Sequence, residues 1–129
     1  MTENLRLAIE TFNRGDYLQA GEMFEHAARD IEPDFKELIG ALNRVAAALH
    51  LRFERGGRQA AINLLSQALM TLDDLKPERA GIDTQKFSEE VSAFADDLRA
   101  TPREPESTMR RKIRIFAERR RAPRIELVR

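Results

Sequence analysis

The chain has 129 residues and a mass of 14.8 kDa, the size of one domain, and its 42% apolar content suits a globular protein. The absence of cysteine excludes disulfides, thiol nucleophiles and cysteine-based zinc sites, and no apolar run approaches the ~20 residues needed to cross a bilayer. A net charge of zero hides an asymmetry: residues 109–129 hold nine basic and two acidic residues, so a +7 C-terminal segment faces a −7 remainder.

In chain order, Thr2 is placed to cap a first helix over about residues 3–13, with Leu5, Ala8, Ile9 and Phe12 on one face. Asn13-Arg14-Gly15-Asp16 supplies the stop and the turn. Tyr17, Ala20, Phe24, Ala27 and Ile31 give the stripe of a second helix, capped by Asp16 and ended by Pro33. Asp34 is expected to cap a long central helix near 35–54, whose buried stripe is Leu38, Ala41, Leu42, Val45, Ala48 and Leu49. Gly56-Gly57 ends it, and Ala60, Ala61, Leu64, Leu65, Ala68 and Leu72 define a fourth helix over 58–75 that Pro77 closes.

Lys76 to Asp83 reads as a loop, and Asp83 or Thr84 caps a fifth helix bearing Phe87, Val91, Phe94, Ala95 and Leu98. Pro102 and Pro105 then interrupt the helical pattern. Ser107 or Thr108 is placed to cap a last short helix carrying Ile113, Phe116 and Ala117, which stops before Pro123. Residues 124–129 alternate polar with apolar, an extended pattern without an evident partner. The expected fold is therefore all-α: a compact bundle of about five helices over residues 1–102, followed by a basic tail over 103–129.

One signature occurs twice. Phe12-Asn13-Arg14-Gly15 is echoed forty-one residues later by Phe53-Glu54-Arg55-Gly56, and at the same offset Ala20, Phe24 and Ala27 fall on Ala61, Leu65 and Ala68. A helical hairpin that cannot bury its own apolar stripe must stack on a neighbour, so the pattern predicts two stacked hairpins. Gly15-Asp16-Tyr17, Ala20, Phe24-Glu25 and Ala27 with Pro33 resemble the inner half of a tetratricopeptide repeat. The offset departs from the ~34-residue period of that repeat.

A second resemblance covers more of the chain, from Phe12 to Leu98. Phe12, Gly15, Tyr17, Ala20, Glu22 and Glu25, then Gly40 before an Ala-rich helix to His50, Arg55-Gly56 before Leu64-Leu65, and Pro77 with Gly81-Ile82-Asp83 resemble the bacterial and plastid domain-of-unknown-function family 309. The resemblance implies a compact bundle wrapped around a central helix. It also implies a His-Glu pair where this chain has Gly21-Glu22, so a site shared by that family would be altered here.

Chemistry is sparse in the body. Glu22, Glu25 and His26 share one helical face, and Glu22, Glu25 and His50 are the candidates for acid-base or metal-dependent catalysis if the second and third helices pack. For metal binding the candidates are Glu22, Glu25 and His26, set against the reading that they are solvated and that His50 packs with a hydrogen bond to Glu22 or Glu25. No phosphate loop, dinucleotide fingerprint or nucleophile elbow occurs, and no cofactor is expected. Arg110, Arg111, Lys112, Arg114, Arg119, Arg120 and Arg121 are the candidate partner-binding residues, directed at an acidic protein surface, at another copy of the chain in a homo-oligomer, or at nucleic acid. The leading expectation is a non-catalytic helical protein-interaction module; the alternatives are a small enzyme and a nucleic-acid-binding accessory protein. The opening Met1-Thr2-Glu3-Asn4 lacks a basic segment before an apolar stretch, so the cytoplasm is the expected compartment.

Overall fold

The computed structural model describes residues 1–101 and 107–128. Six α-helices and one small hairpin account for the regular structure in them: α1 (Glu3–Asn13), α2 (Tyr17–Arg29), α3 (Lys36–Arg55), α4 (Gln59–Asp73), β1 (Glu78–Arg79), β2 (Ile82–Asp83), α5 (Thr84–Ala100) and α6 (Thr108–Arg120). The fold is all-α, and the expected boundary at Pro102 and Pro105 lies outside the described residues.

The caps follow the local chemistry in most places. Thr2 Oγ1 accepts from the Leu5 amide at 3.2 Å, Asp83 from Lys86 at 2.9 Å and Ser107 from Arg110 at 3.2 Å, each relieving an orphan N–H of a first turn. Two expected caps fail. Asp16 stands at the N-cap of α2 but makes no side-chain cap bond. Asp34 is drawn into a 3₁₀ turn, Pro33–Phe35, that leads directly into α3, so Phe35 is the N-cap there.

α3 is the centre of the bundle. It packs against α2 on one side and α4 on the other, while α1 lies on α2 and α5 on α4. The expected stripe of Leu38, Ala41, Leu42, Val45, Ala48 and Leu49 is fully buried, joined by Ile39, Ala46 and Phe53. At roughly 1.5–3 kcal/mol for each fully buried large side chain, this helix carries a main share of the apolar stabilisation. Aromatic rings tie the layers together: Phe12 meets Phe87 at 5.9 Å, bringing α1 against α5, and Phe53 meets both Tyr17 at 5.8 Å and Phe94 at 5.9 Å.

The region read as a loop before α5 contains the β1–β2 hairpin, paired Glu78 with Asp83 and Arg79 with Ile82. Its two-residue turn, Ala80-Gly81, has positive φ at both positions, the geometry that matches strand twist. The hairpin provides the partner that the alternating C-terminal residues require. Asp83 donates its amide to Glu126 O at 2.8 Å, Val128 donates to Gly81 O at 2.9 Å, and Ile82 bridges Leu127.

The C-terminal segment is therefore laid along the body rather than held away from it. Ile125 is only 2% exposed and belongs to the core, and Ile115 and Ala122 pack on its edge. Asn13 Nδ2 donates to Ile125 O and Asn13 Oδ1 accepts from Ile125 N, both at 2.8 Å, so one side-chain amide does the work of a strand neighbour. Arg52 on α3 makes a two-pronged ion pair with Glu118 on α6, Nε to Oε2 at 2.7 Å and Nη2 to Oε1 at 2.8 Å, with both side chains buried.

Candidate functional site

α2 buries Tyr17, Ala20, Phe24 and Ala27, which turns Glu22, Glu25 and His26 outward. Glu25 accepts from Asn43 Nδ2 at 3.5 Å, and Glu22 and His26 line a shallow depression of about 220 Å³ with Asn4, Gln19 and Met23. His50, half-buried on α3, makes no hydrogen bond to Glu22 or Glu25, so the expected structural pairing is not formed. Among the described residues no three His, Asp or Glu side chains converge in a way that could hold a metal ion. A Cβ at Gly21, the position where the resemblance implies a histidine, would meet the side-chain Oδ1 of Asn43 at 3.0 Å, a tight contact that a small shift of that amide would relieve.

The basic residues of the C-terminal segment divide into three sets. Several are engaged by the body: Arg119 donates to Glu54 Oε1 at 3.0 Å with its guanidinium 5.2 Å from the Phe53 ring centre, and Arg121 faces Asp97 at 3.6 Å. Arg111 extends over the α3–α4 turn, where it reaches the Arg55 carbonyl at 3.5 Å. Arg114 also takes part in an interaction within the protein. Arg110 and Lys112 form no ion pair among the described residues and project from the outer face of α6. Between them that face exposes Met109, Ile113 (62% exposed) and Phe116 (65%), an apolar stripe spaced by four and three residues.

Arg120 belongs to the third set. It faces a cavity of about 240 Å³ at the meeting of the α1–α2 turn, the last turn of α6 and the extended residues after it, lined by Asn13, Arg14, Gly15, Tyr17, Arg119, Arg120, Ala122, Pro123 and Arg124. Among the described residues, four arginines and no carboxylate form this wall. Gly15 makes the turn at φ +86°, and no atom of the protein comes within 4 Å of where its Cβ would stand, so the turn opens directly onto the cavity. Arg14 and Arg124 are held in place by Thr11 Oγ1 at 3.2 Å and the Asn13 carbonyl at 3.0 Å. Burial raises the Tyr17 hydroxyl above the ordinary tyrosine range, while Arg119 and Arg124 act in the opposite direction.

The sequence named Arg119 and Arg120 but not Arg14, Tyr17 or Arg124. Nothing in the spacing says which part of a basic tail will land on which turn, because that depends on the Asn13–Ile125 and β2–Leu127 pairings. Among the described residues no helix is long and apolar enough to cross a membrane. Comparison with family models, with curated proteins and with solved structures returned no match.

Proposed function

We propose that this protein is a non-catalytic helical interaction module in which the outer face of α6 engages an acidic surface of another protein. The observation that carries the reading is the orientation of α6. Its bundle-facing side holds the buried, polar Glu118 and the half-buried Ile115, while Met109, Ile113 and Phe116 are turned to solvent between Arg110 and Lys112. A helix that spends its apolar residues outward gains nothing from them in folding; association with a partner would recover that burial. The flanking cations select an acidic partner and accelerate encounter with it, an effect that fades as ionic strength rises past ~0.15 M, where the Debye length is about 8 Å. The bundle is the rigid mount, and the buried Arg52–Glu118 pair fixes the helix on it. The lack of cysteine suits a reducing cytosol.

The resemblance to the domain-of-unknown-function family is part of this proposal only for the fold it implies, because Gly21 stands where the implied histidine would be.

The test is affinity capture with the full chain and with the Ile113→Asp, Phe116→Asp double variant, followed by titration of the purified captured protein. Both residues are exposed, so the variant should keep its thermal stability within ~0.5 kcal/mol. Loss of binding in the variant, with a salt-dependent association rate in the parent, supports the reading. Equal binding by the two, or saturable binding of nucleic acid in place of a protein, overturns it.

A further inference from the structure

We propose that the cavity at the α1–α2 turn is a binding site for a phosphate group, held by Arg14, Arg120, Arg124 and the Tyr17 hydroxyl. The proposal concerns a different surface from the outer face of α6 and does not depend on that face having a partner.

Charge comes first. The lining holds Arg14, Arg119, Arg120 and Arg124 and contains no acidic side chain. Glu54 pairs with Arg119, Glu118 with Arg52 and Asp97 with Arg121. Asp16, between the lining residues Gly15 and Tyr17, and Glu90, whose Oε1 accepts the backbone amide of Arg124 at 3.2 Å, have no cationic partner among the described residues, and neither lines the cavity. Among the described residues Arg119 alone of the four guanidinium groups has an ion-pair partner, so Arg14, Arg120 and Arg124 stand unpaired around one small concavity, with Asp16 and Glu90 as nearby offsetting charges.

Donor supply comes second. A guanidinium carries five N–H donors. Arg14 uses Nη2 on Thr11 and Arg124 uses Nη1 on Asn13, so each is positioned by one bond and keeps the others for a ligand. Arg120 makes no hydrogen bond or ion pair among the described residues. Tyr17 is 6% exposed, and its hydroxyl has no protein partner among the described residues and is open to solvent where it borders the cavity, so it is available to a ligand there.

The geometry selects the ligand. Several planar forks and one hydroxyl around a single space match a tetrahedral oxyanion, to which arginine binds bidentately. Three guanidinium groups without an ion pair favour a dianion, which can accept a charge-assisted bond from each, over a carboxylate. Helix dipoles do not decide the matter: the uncapped start of α2 contributes about half a positive charge and the end of α6 about half a negative one. Arginines on three separate chain segments therefore set the potential. At about 240 Å³ the cavity has room for one phosphate group with the first atoms attached to it.

The experiment is calorimetric titration of the full chain with inorganic phosphate and with phenyl phosphate, against chloride at matched ionic strength. Arg14→Gln and Arg120→Gln are compared with Arg110→Gln and Lys112→Gln on the outer face of α6. Saturable binding at one site per chain is expected, weakened about tenfold or more by each cavity variant, the loss of one charge-assisted contact. The two outer-face variants should bind as the parent does. Tighter binding of phenyl phosphate assigns the site to a phosphate monoester, and equal affinities assign it to free phosphate. Heat that never saturates, or equal weakening by outer-face and cavity variants, would reduce the effect to general screening and overturn the site. Thermal unfolding of each variant in chloride confirms that the fold is intact.

Discussion

The two turns that join α1 to α2 and α3 to α4 begin from nearly the same local sequence and end in opposite surface states. Gly15 and Gly56 both take left-handed φ, at +86° and +70°, and the small-large-small stripes that follow them, Ala20, Phe24, Ala27 and Ala61, Leu65, Ala68, are all fully buried. What differs is the cover. At the second turn the Arg111 guanidinium lies where a Cβ on Gly56 would stand, and Arg52 donates to the Gly56 carbonyl at 3.2 Å, so the turn is closed. At the first, residues 122–125 arrive tied by Asn13, and Arg119, Arg120 and Arg124 border the turn without filling it, so a cavity remains. Local sequence made both turns; the long-range course of the C-terminal segment decided which one is open.

The largest effect is expected at the contact that holds α6 beside the closed turn. Glu118→Ala strands the buried Arg52 charge with only the Gly56 carbonyl for company, and should destabilise the protein by about 3–5 kcal/mol in denaturant unfolding. Replacing both partners by methionine removes the stranded charge and should recover most of that loss. If the single and double replacements are equally damaging, the pair is needed for more than charge balance.

Asn13 and Glu54 are equivalent by the forty-one-residue offset, and both fasten the C-terminal segment, yet by unequal means. Asn13→Ala strips the partners from both backbone groups of the core residue Ile125 and should cost about 2 kcal/mol. Glu54→Ala removes a half-exposed ion pair with Arg119 and should cost at most about 1 kcal/mol. Hydrogen exchange at Val128 and Asp83 should accelerate only in the Asn13 variant, since their amides belong to the pairing that Ile125 anchors.

The glycines give a smaller contrast. Alanine at either position costs about 1–2 kcal/mol for the left-handed conformation alone. Gly56→Ala must also push aside Arg111, an exposed and flexible side chain, so its excess over Gly15→Ala should stay below ~1 kcal/mol and vanish in the Gly56→Ala, Arg111→Ala double variant. An excess that survives removal of Arg111 would mean that the second turn is strained from within.

These comparisons mark how far the sequence was legible. The helices were, because Leu38, Leu42, Val45 and Leu49 recur at helical spacing and nothing but a buried face explains them. The first-helix cap at Thr2 was legible for the same local reason. Asp34 misled because a proline immediately before it opened a 3₁₀ turn instead. The tail was set apart from the bundle on Pro102, Pro105 and its basic charge, while its fastening rests on Glu118 and Asn13, residues with no distinguishing neighbours, and on a two-residue strand too short to carry a pattern. The Glu22, Glu25 and His26 cluster was visible as a shared helical face, but which way that face points was set by Phe24 and Ala27. The arginine cavity joins positions over a hundred residues apart, such as Arg14 and Arg124, and no spacing rule reaches that far.

The smallest expected effect belongs to the residue that most sharply separates the open turn from the closed one. Tyr17 corresponds to Arg58 at the second turn, which donates to the Leu98 carbonyl at 2.9 Å and the Arg99 carbonyl at 2.8 Å and so caps the end of α5. The Tyr17 hydroxyl has no such bond among the described residues, so Tyr17→Phe keeps the ring contacts with Phe12 and Phe53 and should change stability at neutral pH by less than ~0.5 kcal/mol. Alkaline pH should bring out the difference. The folded protein holds this phenol above its unfolded value because burial penalises the phenolate. Between the two values the unfolded chain has lost a proton that the native chain retains, so the contribution is fully present below about pH 10 and is lost as pH rises through the folded value. The parent should therefore lose stability more steeply than Tyr17→Phe on the alkaline side. Because this is the only tyrosine and there is no tryptophan, phenolate absorbance follows the titration directly. A phenol that ionises at or below the ordinary tyrosine value would show that Arg119 and Arg124 outweigh burial, and that the cavity is more positive than its geometry implies.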